Sequence, residues 1–225
     1  MRTRTTALCA LVLALALSGS AAGLASTGSA TAVDPVFHGS ISTIDAAQRE
    51  RMIGKSWHRG CPVAIRNLRL LRLDYWGFGG HIRRGKLIVH EDQARKVKRV
   101  FRKLFNRGFR IRRMILIDYY DGSDRRSMDA NNTSAFNCRF VAGTTRWSQH
   151  AYGRAIDISP IRNPYVDGNY VSPTAGAPYA DRTKHRIGMI HAGDRVVRAF
   201  ADENWKWGGY WSPYEDYMHF SRTGT

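Results

Sequence analysis

Residues 154–159 read RAIDIS, which places a carboxylate in the middle of an apolar run. Alternation in a strand sends Ala155 and Asp157 to one face and Ile156 and Ile158 to the other. Burying an ionised carboxylate is costly unless a cation compensates it. A fold for this chain must therefore bring a positive partner to Asp157. His150 stands seven residues earlier in SQHAYGRAID, and Gly153 between them lets the chain turn so that both side chains face one point. A second fragment, EDYMHF at 215–220, alternates in the same way, with Tyr217 and His219 on one face and Met218 and Phe220 on the other. His150, Asp157 and His219 would give zinc three ligands and leave a fourth position for water, which is the pattern of a catalytic site rather than a closed structural one. Asp216, three residues before His219, is the candidate base for that water, and Glu215 competes for the role. The remaining histidines, at 38, 58, 81, 90, 185 and 191, have no partner at ligand spacing and read as structural or surface groups.

The 225 residues suit one domain after the first 32 are set aside. Residues 1–32 open with Arg2 and Arg4, continue through an apolar run from Ala7 to Leu17, and end in small residues. That order predicts a secretory signal peptide, cleaved after Ala22 or Ala32, because the run is too short to span a bilayer. Residues 33–40 read as a lead-in and 41–225 as the domain. Cys9 falls in the signal, which leaves Cys61 and Cys138 as an even pair in an oxidising compartment, and a disulfide is expected. On the loop-entropy model a bridge across that separation stabilises the fold by roughly 4–5 kcal/mol, less strain. Lys and Arg total 35 against 18 Asp and Glu, a net +17; loss of Arg2 and Arg4 leaves 33 − 18 = +15. Such a surface seeks polyanions. For an exported chain these are anionic wall polymers and carboxylate-rich peptides, with nucleic acid set aside.

The element pattern predicts an α+β fold: a single compact domain with a largely antiparallel sheet flanked by helices. A first helix is expected after a cap at Ser42 or Thr43, ending before Gly54. Strands are expected over 68–78 and 85–90, joined by a turn at Gly77, Gly79 and Gly80. The spacing of Ala94, Val97, Val100, Phe101, Leu104 and Phe105 predicts a helix over 92–107. Further strands are expected over 111–120, 134–140 and 154–159, with a long polar loop from 121 in which Asp121, Asp124 and Asp129 read as turn residues. A last helix begins at Asp194 with Val196, Val197, Phe200 and Ala201 inward.

SQHAYGRAID together with WKWGGYW and EDYMHF resembles the zinc D-alanyl-D-alanine carboxypeptidase family, which includes vancomycin-resistance carboxypeptidases and phage L-alanyl-D-glutamate endopeptidases. The elements that match its pattern are Ser148, His150, Gly153, Ala155 and Asp157; Trp207, Gly208 and Gly209; and Asp216, His219 and Phe220. WHRGCP, NTSAFNCR and AGDRVVRAF are similar to text in a secreted actinobacterial-type branch, so the resemblance covers about residues 41–222. It implies a fold shared with hedgehog-type domains and one zinc per chain on His150, Asp157 and His219. It makes Asp216 the general base, although several relatives carry Glu there. An arginine would stabilise the oxyanion, Arg139 being the better match and Arg146 the alternative. Ser148 and Trp207 would support the ligands from behind. The implied activity is hydrolysis of peptidoglycan stem peptides by a secreted, wall-associated monomer without stable membrane insertion, of D-alanyl-D-alanine carboxypeptidase type. An L-alanyl-D-glutamate endopeptidase and a non-catalytic wall-binding module on the same fold are the alternatives.

Overall fold

The computed structural model describes residues 35–224, so the expected signal segment lies outside the described residues. In chain order the elements are β1 (Gly39–Thr43), α1 (Ala46–Met52), β2 (Leu68–Gly77), β3 (Ile82–His90), α2 (Glu91–Asn106), β4 (Arg110–Ile111), α3 (Asp124–Asp129), β5 (Ala155–Asp157), β6 (Tyr165–Asp167), β7 (Tyr170–Ser172), α4 (Arg195–Ala201), β8 (Lys206–Trp207), β9 (Glu215–Asp216) and β10 (His219–Ser221). Among the described residues the fold is α+β, with three small sheets in place of one large one. β1, β2 and β3 form an antiparallel meander to which β4 adds a short parallel pairing; β5, β10 and β8 form a second antiparallel sheet, and β7, β6 and β9 a third.

Period-two alternation along β2 separates two cores. Leu71, Leu73 and Tyr75 point into the larger one, where Val97, Val100, Phe101 and Leu104 of α2 cover the sheet and Phe200 and Phe220 complete the packing. Leu68 and Leu70 point the other way, into a smaller cluster with Met52, Ile88, Phe136 and Cys138. The Cys61–Cys138 disulfide closes that second cluster with its Cα atoms 5.8 Å apart. Among the described residues no helix is long and apolar enough to cross a membrane.

Several expected boundaries move, for local reasons. Ser42 and Thr43 are strand residues of β1, which also takes in the last two residues of the lead-in; Asp45 caps α1 by accepting from the Gln48 amide at 2.7 Å. The long strand expected over 111–120 is interrupted after Ile111. The Ile115 backbone bonds on both sides to the Asn132 side chain, at 3.0 Å each, so that amide replaces a neighbouring strand. Ile117–Tyr120 then forms a 3-10 turn. The polar loop from 121 contains α3, capped by Ser123. Residues 134–140 run extended without forming a strand, because successive amides reach different partners: Ser134 bonds Asp157, Phe136 bonds Ile88, Asn137 bonds His150 and Cys138 bonds Ser56. In α4 the inward residues are Val196, Val197, Ala199 and Phe200, while Ala201 is exposed.

Candidate metal centre

β10 lies in the middle of its sheet, and its register sets His219 directly opposite Asp157 of β5. His150 arrives from a different direction, on a 3-10 turn (Gln149–Tyr152) that follows Ser148. The Ser148 hydroxyl accepts from the His150 amide at 3.3 Å, and the Ser148 amide bonds the Arg139 carbonyl at 3.1 Å. Gly153 ends the turn at φ +63, and a Cβ there would lie 2.5 Å from the His90 amide nitrogen. The same glycine's carbonyl accepts from that amide. Only a residue without a side chain lets the His150 turn sit against the end of β3.

The three side chains converge, all buried. His150 Nε2 lies 3.1 Å from Asp157 Oδ2 and 3.3 Å from His219 Nδ1, and His219 Nδ1 lies 3.0 Å from Asp157 Oδ1. His150 Nδ1 is 2.6 Å from the Ala135 carbonyl, which can only accept, so that nitrogen carries the proton and Nε2 of the neutral ring presents a lone pair. A lone pair, a carboxylate and a second imidazole nitrogen within contact distance need a shared cation. Zinc bonds of about 2.0–2.2 Å put tetrahedral ligand atoms roughly 3.3 Å apart, which matches this triangle. The buried His219 Nε2 has no hydrogen-bond partner among the described residues, so its ring is oriented by Nδ1. Donor set, spacing and the Ala135 contact behind His150 all fit a divalent cation. In metal-free protein burial alone would raise the Asp157 pKa; positive charge and hydrogen bonds from the His150 and His219 rings, standing where the cation would, outweigh it and hold the carboxyl well below the usual range. A second cluster, His58 with Cys61 and Cys138, offers no such centre, because both sulfurs are in the disulfide.

Residues 142–222, which contain all three converging side chains, match a family profile described as D-alanyl-D-alanine carboxypeptidase. That segment is similar to the family. No curated protein and no solved structure matches the chain. Members of the family are zinc-dependent, in keeping with the donor set.

Around the triangle stand the other residues singled out in the sequence. Asp216, on β9, has a buried Oδ1 with no partner among the described residues. Its carboxyl is pushed up to about 7, first by burial; Asp157 adds to the rise, while His219 and Arg139 oppose it. Glu215 is the neighbouring residue on β9, so it projects to the opposite face of the strand. Gly208 brings the Trp207–Gly209 segment against this wall, where a Cβ would lie 2.7 Å from the Asp216 carbonyl oxygen and 3.3 Å from His219 Cβ. Trp207 donates from Nε1 to the Tyr217 carbonyl at 2.9 Å and so fastens the link between Asp216 and His219.

Arg139 and Arg146 part company. Arg139 is half-buried, within electrostatic reach of Asp216, and its Nη2 lies 3.0 Å from Asp124 Oδ2. Arg146 is exposed, and its carbonyl accepts from Val141 at 2.8 Å in a surface turn. Arg139 precedes the matched residues, so its place rests on geometry alone. Sequence reasoning missed Asp124, the partner of Arg139, and Trp211, whose ring centroid is 5.3 Å from that of His219. Ser123 as a cap ahead of Asp124 was the available signal for a helix there; Trp211 ends the WKWGGYW segment, which was the available signal for it.

Proposed function

We propose that the chain is an exported zinc peptidase of D-alanyl-D-alanine carboxypeptidase type, acting on the stem peptides of peptidoglycan. The observation that carries the reading is the buried triangle of His150, Asp157 and His219 beside the partnerless carboxyl oxygen of Asp216. His150 Nε2, Asp157 and His219 Nδ1 would hold the ion. When bound, zinc polarises a carbonyl and acidifies water. Asp216 accepts the proton of the attacking water at Oδ1, a buried oxygen with no partner among the described residues. Arg139 donates hydrogen bonds to the oxygen on which charge develops, while Asp124 keeps its guanidinium oriented. Asp216 then returns its proton to the leaving amine nitrogen. The basic, apolar and small-residue order of residues 1–32 supports export, and the net +15 left after Arg2 and Arg4 are removed supports retention at an anionic wall.

The test is mass spectrometry of products from defined muropeptides, with zinc content measured on the same preparation. Release of the terminal D-alanine, lost in His150→Ala, is the expected result. Cleavage between L-alanine and D-glutamate instead would reassign the bond, and unchanged muropeptides with zinc-loaded protein would end the peptidase reading.

A further inference from the structure

The described residues also line an open cleft of about 560 Å³ at residues 104–110 and 185–196, made by none of the residues of the metal centre. Its accessible apolar surface comes from half-buried Phe109 and from Ile187 at the edge, with Leu104, Met189 and Val196 buried beneath. Its charges come from Arg107, Arg110 and Arg195 against the single acid Asp194. Asp194 is already committed: its carboxylate accepts from the amides of His191, Val196 and Val197. Arg107 donates to the Arg195 carbonyl and Arg110 to the Phe78 carbonyl, so both guanidinium groups are held in place with donors to spare. Two imidazoles, His185 and His191, stack in the cleft with centroids 4.1 Å apart. His191 Nε2 is buried and has no partner among the described residues. A cleft of this size with an apolar floor and a few convergent polar groups has the composition of a ligand site.

We propose that this cleft is a second binding site and that it takes an acidic peptide segment. Three arginines against one saturated acid select a carboxylate, for which the guanidinium fork is suited. The apolar floor selects a ligand with small aliphatic side chains beside that carboxylate. The stacked rings of His185 and His191 offer an aromatic face and polar edges to a peptide backbone. A phosphodiester polymer would supply the charge but leave the apolar floor and the imidazole unused, so the peptide is the better complement. This inference does not depend on the peptidase reading, because the site shares no residue with the metal centre.

Isothermal titration and amide chemical shifts test it, using the full mature chain with acetyl-Ala-Glu-Ala-amide, its Gln counterpart and a glycerol-phosphate oligomer as probes. The Glu peptide should bind in the millimolar range or tighter, and the Gln peptide at least about five-fold more weakly. Arg195→Glu and Arg107→Glu should each weaken the Glu peptide about ten-fold, while Arg139→Ala should leave it unchanged. Equal binding of the two peptides, absence of binding, binding lost in Arg139→Ala but kept in Arg195→Glu, or preference for the phosphate oligomer would each overturn the proposal. Near-wild-type spectra of Arg195→Lys, with binding retained, separate loss of charge from loss of fold.

Discussion

His219 and Asp157 face each other across the β10–β5 ladder, Nδ1 3.0 Å from Oδ1. Two of the three proposed ligands are thus set by strand register, and the third, His150, by a turn braced against β3. Asymmetric support of this kind makes the ligands separable by mutation.

Replacing His150 by Ala removes one donor and leaves the β10–β5 pairing intact. Zinc content measured by elemental analysis should fall from one per chain to about a tenth or less, while the circular dichroism spectrum stays near that of the parent. His219→Ala should lose zinc equally and also weaken folding, because its strand is central to the sheet.

Asp216→Asn should keep its zinc and lose activity by about 10²–10⁴-fold, the ordinary contribution of a general base. Zinc retained together with activity at parental level would remove Asp216 from the mechanism.

The same carboxyl gives a pH signature in metal-free protein. Its folded pKa, about 7, lies above the unfolded carboxylate value, so the folded state holds the proton more tightly. That contribution to stability is complete below about pH 4 and is lost as pH rises through 7. Asp157 runs the opposite way, its depressed pKa adding stability above about pH 4 that is lost on acidification. Metal-free Asp216→Asn should therefore be flatter than the parent between pH 5 and 8 by about 2 kcal/mol, allowing for the residue's partial exposure. Chemical denaturation at both pH values measures the difference.

Arg139→Ala should reduce kcat by about 10²–10³-fold with little change in folding, whereas Arg146→Ala, altering an exposed turn, should act like the parent. Asp124→Ala should give a smaller loss than Arg139→Ala, since it releases the guanidinium without removing it. Steady-state kinetics on one muropeptide rank the three.

Gly153→Ala places a Cβ 2.5 Å from the His90 amide nitrogen at a φ of +63. Backbone strain and steric clash together should cost about 2–3 kcal/mol and weaken zinc binding, because the His150 turn must lift from β3. Thermal melts with and without added zinc separate the two effects.

The site was more legible than the fold around it. Asp157 in an apolar run, Gly153 and the alternation around His219 are local signals, and local signals survive in a single sequence. α2 was equally plain, because six apolar residues recur at helical spacing. The segment 111–120 misled because its apolar residues are buried by tertiary contacts, with Asn132, some seventeen residues on, supplying the bonds a strand would. Residues 134–140 misled for a related reason: an extended chain with four separate partners has strand composition without a ladder. Asp124 read only as a turn residue because an ion pair with Arg139 leaves no trace in either residue's neighbours.

β10 serves two masters at consecutive positions. Phe220 stacks on Phe200 in the core with centroids 3.9 Å apart, and His219, one residue earlier, faces the cation site. Sliding this strand by one position would drive an imidazole into oil and a phenyl ring into the ion's place. Insertions between Asp216 and His219 should therefore be lethal to catalysis and assembly alike, whereas length changes in the exposed 142–146 turn should be tolerated.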